Sequence, residues 1–164
     1  MLELGKFVRG TKVLFAVGAM LFVAACAQTQ PDGLNGANGG AAPGTGQDFV
    51  VNVGDRVFFE EDQSTLNAQG QGTLNKQAQW LSKYSKYMIT VEGHADERGT
   101  RQYNIALGAR RASSARDYLV SRGIASSRIK TISYGKERPV AVCNDSSCWS
   151  QNRRAVTVLN NATN

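Results

Sequence analysis

Hydrophobic and polar positions repeat in distinct registers along this chain, and those registers predict its elements. Val50, Val51 and Val53, then Val57-Phe58-Phe59, read as short strands interrupted at Gly54-Asp55. Over 65–84 the spacing turns helical, with Leu74, Ala78, Leu81 and Tyr84 on one face, and Gly70 and Gly72 weaken the first turns. Alternation returns over 88–92, where Ile89 and Val91 face one way and Thr90 and Glu92 the other. A second helix is predicted over 102–122, stopped by Gly123, a residue suited to a left-handed C-terminal cap. Strands over 129–133 and 154–159 complete the set, with a helical turn at 146–150 between them. Strands interleaved with helices imply an α/β fold: an α+β sandwich of one mixed sheet with helices packed on it.

The second helix breaks its own pattern. Its apolar arc holds Leu107, Ala112, Ala115, Tyr118 and Leu119, while Arg110, Arg116, Asp117 and Ser121 lie opposite. Arg111 and Asn104 nevertheless fall inside the apolar arc. A guanidinium on a packed face cannot shed its charge, so it requires a partner. Asp96, in the turn just before the helix, is the candidate partner. The expectation is an Asp96–Arg111 ion pair, either closing the turn or walling a small polar pocket that could hold a zwitterion.

Ahead of residue 48 the composition changes in kind. Lys6, Arg9 and Lys12 precede an apolar run from Val13 to Ala25, the profile of an export signal. That run is shorter than the ~20 apolar residues needed to span a bilayer. It ends in Val23-Ala24-Ala25-Cys26, which resembles the bacterial lipobox with valine in place of the commoner leucine. On this reading 1–25 is a lipoprotein signal peptide and Cys26 carries the lipid. At ~0.8 kcal/mol per buried methylene, two or three acyl chains anchor durably. Ala27 stands where enterobacterial sorting uses aspartate for inner-membrane retention, so the outer membrane is the expected address, with the domain in the periplasm. Residues 26–47, rich in Gly, Asn, Ala and Gln, are expected to form a flexible tether with a reach of roughly 25 Å. The folded domain is expected over 48–164.

Charge adds little direction. The net charge of +6 includes a net two from Lys6, Arg9, Lys12 and Glu3. The remaining basic residues are interspersed with Glu60, Glu61, Asp62, Glu92, Asp96 and Glu97, so no basic stripe points to nucleic acid. Glu60, Asp62, Asp96 and His94 invite a hydrolase or metal hypothesis. A single histidine leaves a zinc site short of ligands. Arg98 and Arg111 nearby would depress carboxylate pKa values, whereas a general acid needs one raised. No catalytic residue, metal or cofactor is therefore assigned, and His94 is expected as a hydrogen-bonded turn residue. Cys143 and Cys148, five apart in an exported chain, are candidates for a local disulfide.

Four motifs occur in order. Gly93-His94-Ala95-Asp96-Glu97-Arg98-Gly99 comes first, then Asn104, Leu107, Arg111 and Ala112 spaced as Asn-x-x-Leu-x-x-x-Arg-Ala. Ser133-Tyr134-Gly135-Lys136-Glu137-Arg138-Pro139 and Asn152-Arg153-Arg154-Ala155-Val156 follow. Over roughly 56–159 they resemble the OmpA-like peptidoglycan-binding domain family, and within it the peptidoglycan-associated lipoproteins. The resemblance implies that Asp96 and Arg111 contact the zwitterionic end of diaminopimelate in the peptidoglycan stem peptide. Asp62 matches a second acidic position, with Arg98, Asn104 and Leu107 beside them. It further implies a non-enzymatic tether of the Tol–Pal system, with TolB as partner and TolA as a further candidate, supporting envelope integrity and constriction at division. Glu60, in place of a shorter residue, and Ser64, in place of a frequent aromatic, depart from the family pattern. Two alternatives stand beside this reading: an OmpA-like lipoprotein outside the Tol system, and a periplasmic hydrolase using Glu60, Asp62 or Asp96.

Overall fold

The computed structural model describes residues 41–160. The export signal, Cys26 and most of the tether lie outside the described residues. The first described element is a single helical turn, α1 (Gly46–Asp48), capped by the Thr45 hydroxyl accepting from the Asp48 amide. It runs directly into a π-helical turn, Phe49–Val53. The strand expected at Val50–Val53 is therefore helical, and Asp48 and Phe49 explain why. Phe49 is fully buried, its ring meeting Trp80 edge-on at 5.0 Å, and the Asp48 carboxylate accepts from Trp80 Nε1 at 2.8 Å. Both neighbours must face the same helix, whereas consecutive strand residues point to opposite faces. Val50 and Val51 are left outside, 48% and 57% exposed. The Tyr87 hydroxyl donates to the Gly44 carbonyl, so ordered packing reaches back into the stretch 26–47 expected as tether.

Four strands form one mixed sheet: β1 (Arg56–Phe58), β2 (Met88–His94), β3 (Ile129–Gly135) and β4 (Arg154–Asn160). Their order is β1-β4-β2-β3, with β4 antiparallel to both neighbours and β2 parallel to β3. The parallel pair requires a crossover, supplied by α3 (Arg101–Ser121). The other long helix, α2 (Ala68–Lys83), connects β1 to β2. It starts three residues later than the pattern predicts because Asn67 caps it, its side chain accepting from the Gly70 amide at 2.8 Å. α3 is capped in the same way by Thr100 and stops at Gly123, whose φ of 93° is left-handed.

Val57, Ile89, Val91 and Ala155 on one face of the sheet pack with Leu74, Ala78 and Leu81 of α2 and Ala112, Ala115 and Leu119 of α3. At one point the two layers nearly touch backbone to backbone. A Cβ built on Gly93 of β2 would overlap the carbonyl of Gly108 in α3. This glycine pair lets α3 lie close against β2, so residues of its first turns flank the turn that leaves β2. A short helix, α4 (Ser146–Asn152), precedes β4, and Cys143 and Cys148 are joined by a disulfide at its start.

Candidate functional site

Two loops leave the ends of β1 and β2, the strands on either side of β4, and meet over the start of α3. The turn 95–100 follows β2 and carries Asp96 and Arg98, and the loop 59–67 follows β1 and carries Asp62. Between them lies a cavity of about 270 Å³ lined by Glu61, Asp62, Asp96, Arg98, Tyr103, Asn104 and Leu107, with Gly99 at its edge. Five residues singled out in the sequence, Asp62, Asp96, Arg98, Asn104 and Leu107, thus share one cavity. Glu61 and Tyr103 were not singled out; Tyr103 precedes Asn104 on α3, 44% exposed, and only the meeting of the loops shows that it belongs.

Arg111 lies beneath this cavity rather than in its lining, fully buried. The ion pair expected between Asp96 and Arg111 does not form. Instead the guanidinium donates to three backbone carbonyls: Gln63 through Nε at 2.8 Å, His94 through Nη1 at 2.8 Å and Glu60 through Nη2 at 3.1 Å. Three convergent carbonyl dipoles satisfy this fork of donors in place of a carboxylate. Burial lowers the Arg111 pKa to about 10, reinforced by the charge of Arg153, so the group stays cationic at neutral pH. Its geometric effect is to hold the 60–63 loop against the end of β2. Asp62 sits within that loop at a φ of 54°, a left-handed conformation that aspartate tolerates better than most residues. The Asp62 carboxylate accepts from the Tyr103 hydroxyl, whose pKa is raised by that bond.

Asp96 takes its counter-charges from elsewhere. Arg98 donates to it through Nη2 at 2.8 Å and through Nε and its own amide at 3.2 Å. Arg153, a residue the reading of the sequence assigned no role, adds a longer contact at 3.4 Å while its Nε donates to the Phe59 carbonyl. Burial alone would raise the Asp96 pKa, but the bonds from Arg98 and Arg153 outweigh it and hold the carboxyl below its usual range. A general acid needs the opposite shift. Asn104 ties the turn to α3, donating to the Arg98 carbonyl at 2.7 Å.

His94 is not the hydrogen-bonded turn residue expected from the sequence. It is the last residue of β2, 1% exposed, and neither ring nitrogen has a hydrogen-bond partner. Burial, then the charges of Arg154, Arg138 and Arg56, push its pKa down to about 4. The imidazole is therefore neutral at pH 7, and its 3.7 Å approach to Glu92 is not an ion pair there. What the site uses from this position is the carbonyl that Arg111 grips.

A model of the OmpA family matches residues 58–155, which include both loops and all of α3. The chain is 64% identical to a peptidoglycan-associated lipoprotein of Mesorhizobium japonicum over 92% of each chain. The chain belongs to the OmpA family, among its peptidoglycan-associated lipoproteins. A Brucella melitensis protein of the same name is 66% identical over 76% of this chain and 74% of its own. The OmpA-family fold is also seen in the crystal structure of the peptidoglycan-associated lipoprotein from Burkholderia pseudomallei. That structure is 39% identical with a TM-score of 0.63, covering 65% of this chain and 90% of its own. The C-terminal domain of Helicobacter pylori MotB, at 21% identity and a TM-score of 0.60, shares the OmpA-family fold.

Proposed function

We propose that the cavity between the two loops binds peptidoglycan non-covalently, taking the side-chain end of diaminopimelate in the stem peptide. The observation that carries this reading is the lining itself: the carboxylates of Glu61, Asp62 and Asp96 beside the guanidinium of Arg98 in one open cavity. An ammonium group seats against the acids, and a carboxylate on the same carbon takes the planar donors of Arg98. Arg98 is the guanidinium that lines the cavity, while Arg111 supports it from below through the loop that bears Asp62. Asn104 keeps the Arg98 turn on α3, and Leu107 offers an apolar wall for the methylenes of the ligand.

Joined to a lipid at Cys26 by the stretch that precedes Gly44, such a domain links the outer membrane to the cell wall from the periplasmic side. The names of the relatives, peptidoglycan-associated lipoproteins, support the same assignment. We extend it to a place in the Tol–Pal system with TolB as partner, acting in envelope integrity and division; a pull-down of periplasmic proteins on the full chain tests that extension. The ligand assignment is tested by sedimentation with isolated sacculi. Asp96→Asn should weaken binding by about 2–5 kcal/mol, roughly 30-fold or more, with the circular dichroism spectrum retained. Undiminished sedimentation of a folded Asp96→Asn protein would refute it.

A further inference from the structure

Arg98 spans the cavity, its Nη2 on Asp96 at 2.8 Å and its Nη1 on Glu61 at 2.7 Å, so it connects the two loops that form the site. The side chain is 34% exposed, and two ion pairs partly open to water do not by themselves hold so long a side chain in one pose. The constraint comes from Trp149. Its ring centre lies 4.1 Å from the Arg98 guanidinium carbon, and its Nε1 donates to Glu97 Oε1 at 2.5 Å. One indole therefore grips two consecutive residues of the turn.

Trp149 in turn stands on α4, a helix of seven residues, too short to persist alone. Three features fix it in place. Cys148, next to Trp149 and 8% exposed, is bonded to Cys143 in the preceding loop. Asp145 caps the first turn by accepting from the Ser147 amide at 2.8 Å. Asn152 at the far end accepts from the Val140 amide and donates to the Ala141 carbonyl, both at 2.8 Å.

We propose that Trp149 is a positioning residue of this site: its indole face holds Arg98 across the cavity, and the Cys143–Cys148 disulfide holds the indole. This deepens the peptidoglycan reading above and rests on it. An oxidised disulfide then belongs to the binding-competent form, so the redox state of this loop sets affinity.

The full chain, purified in detergent, is titrated with free diaminopimelate and sedimented with sacculi. Trp149→Leu should weaken both interactions about 10-fold, the scale of a partly desolvated cation–π contact. Trp149→Phe keeps an aromatic face without the N–H and should recover most of the loss. The paired Cys143→Ser/Cys148→Ser change should weaken binding in the same direction as Trp149→Leu. The acid titration of Asp96, followed by NMR, should move toward higher pH in Trp149→Leu as the Arg98 bonds loosen. Wild-type affinity in Trp149→Leu, or a Phe variant no better than Leu, overturns the positioning role. Unchanged affinity in the cysteine pair overturns the role of the disulfide. If the unaltered chain binds neither probe, the peptidoglycan reading fails instead, and an unmoved Asp96 titration in Trp149→Leu then overturns the positioning role on its own.

Discussion

Replacing Arg111 separates two roles that are easily confused. In Arg111→Ala three carbonyl oxygens, those of Glu60, Gln63 and His94, lose a charged donor at once. The bond to His94 is buried, so that oxygen is left without water, at a cost of about 1–3 kcal/mol. The bonds to Glu60 and Gln63 are only partly buried, so their oxygens rehydrate and each loses about 1 kcal/mol. Loss of the guanidinium packed 5.3 Å from the centre of the Phe59 ring adds a smaller packing deficit. The total is about 3–5 kcal/mol, which for a domain of this size lowers Tm by roughly 10–20 °C. Sacculus binding should fall as well, because the loop that presents Asp62 is no longer fixed. Arg111→Lys should recover only a minor part of both losses, since a point ammonium cannot serve three carbonyls spread around a planar fork. Differential scanning calorimetry and sacculus sedimentation on the same preparations decide the matter. A variant that melts with the wild type yet no longer binds would refute this reasoning and make Arg111 a direct ligand contact.

Two further outcomes rest on the structure and one on the sequence motif at Cys26. Gly93→Ala should destabilise the domain by about 3 kcal/mol or more in urea titrations, because the new methyl collides with the backbone of Gly108 rather than with a side chain that can turn away. Stability should decline as the pH falls from about 6.5 to about 4. Folded His94 has its pKa depressed below that of the unfolded chain, so its contribution is full above 6.5 and is lost as acid protonates the unfolded form first. The decline is about 1.4 kcal/mol per pH unit, near 3 kcal/mol in all, and His94→Phe should flatten it; an unaltered slope in that variant would count against the assignment. Cys26→Ser should abolish lipid labelling and release the protein from the membrane fraction, and retention there would rule out the lipid anchor.

The long elements were legible in the chain because their stabilising contacts repeat at a local period. Leu74, Ala78 and Leu81 mark α2, Leu107, Ala112, Ala115 and Leu119 mark α3, and Ile89 and Val91 mark β2, each within one register. The position of the site was legible for the converse reason: Arg111 and Asn104 violate a helical period, and a violation of that kind must be compensated somewhere. Where the compensation lies is not a local property. Arg111 bonds to carbonyls 17, 48 and 51 residues away in sequence, and no pattern of side chains records the direction of a distant carbonyl. The same limit applies to Arg153, brought to Asp96 across 57 residues by the pairing of β4 with β1 and β2. It applies to Trp149, whose place over Arg98 depends on how α4 is strapped. Val50 and Val51 read as strand because β-branched pairs suit one, yet the burial of Asp48 and Phe49 against Trp80 selects a helical turn. Local periodicity therefore determined which segments are regular and which residues were anomalous. Tertiary packing decided which polar groups answer one another, because a hydrogen bond depends on distance and direction in space and not on separation along the chain.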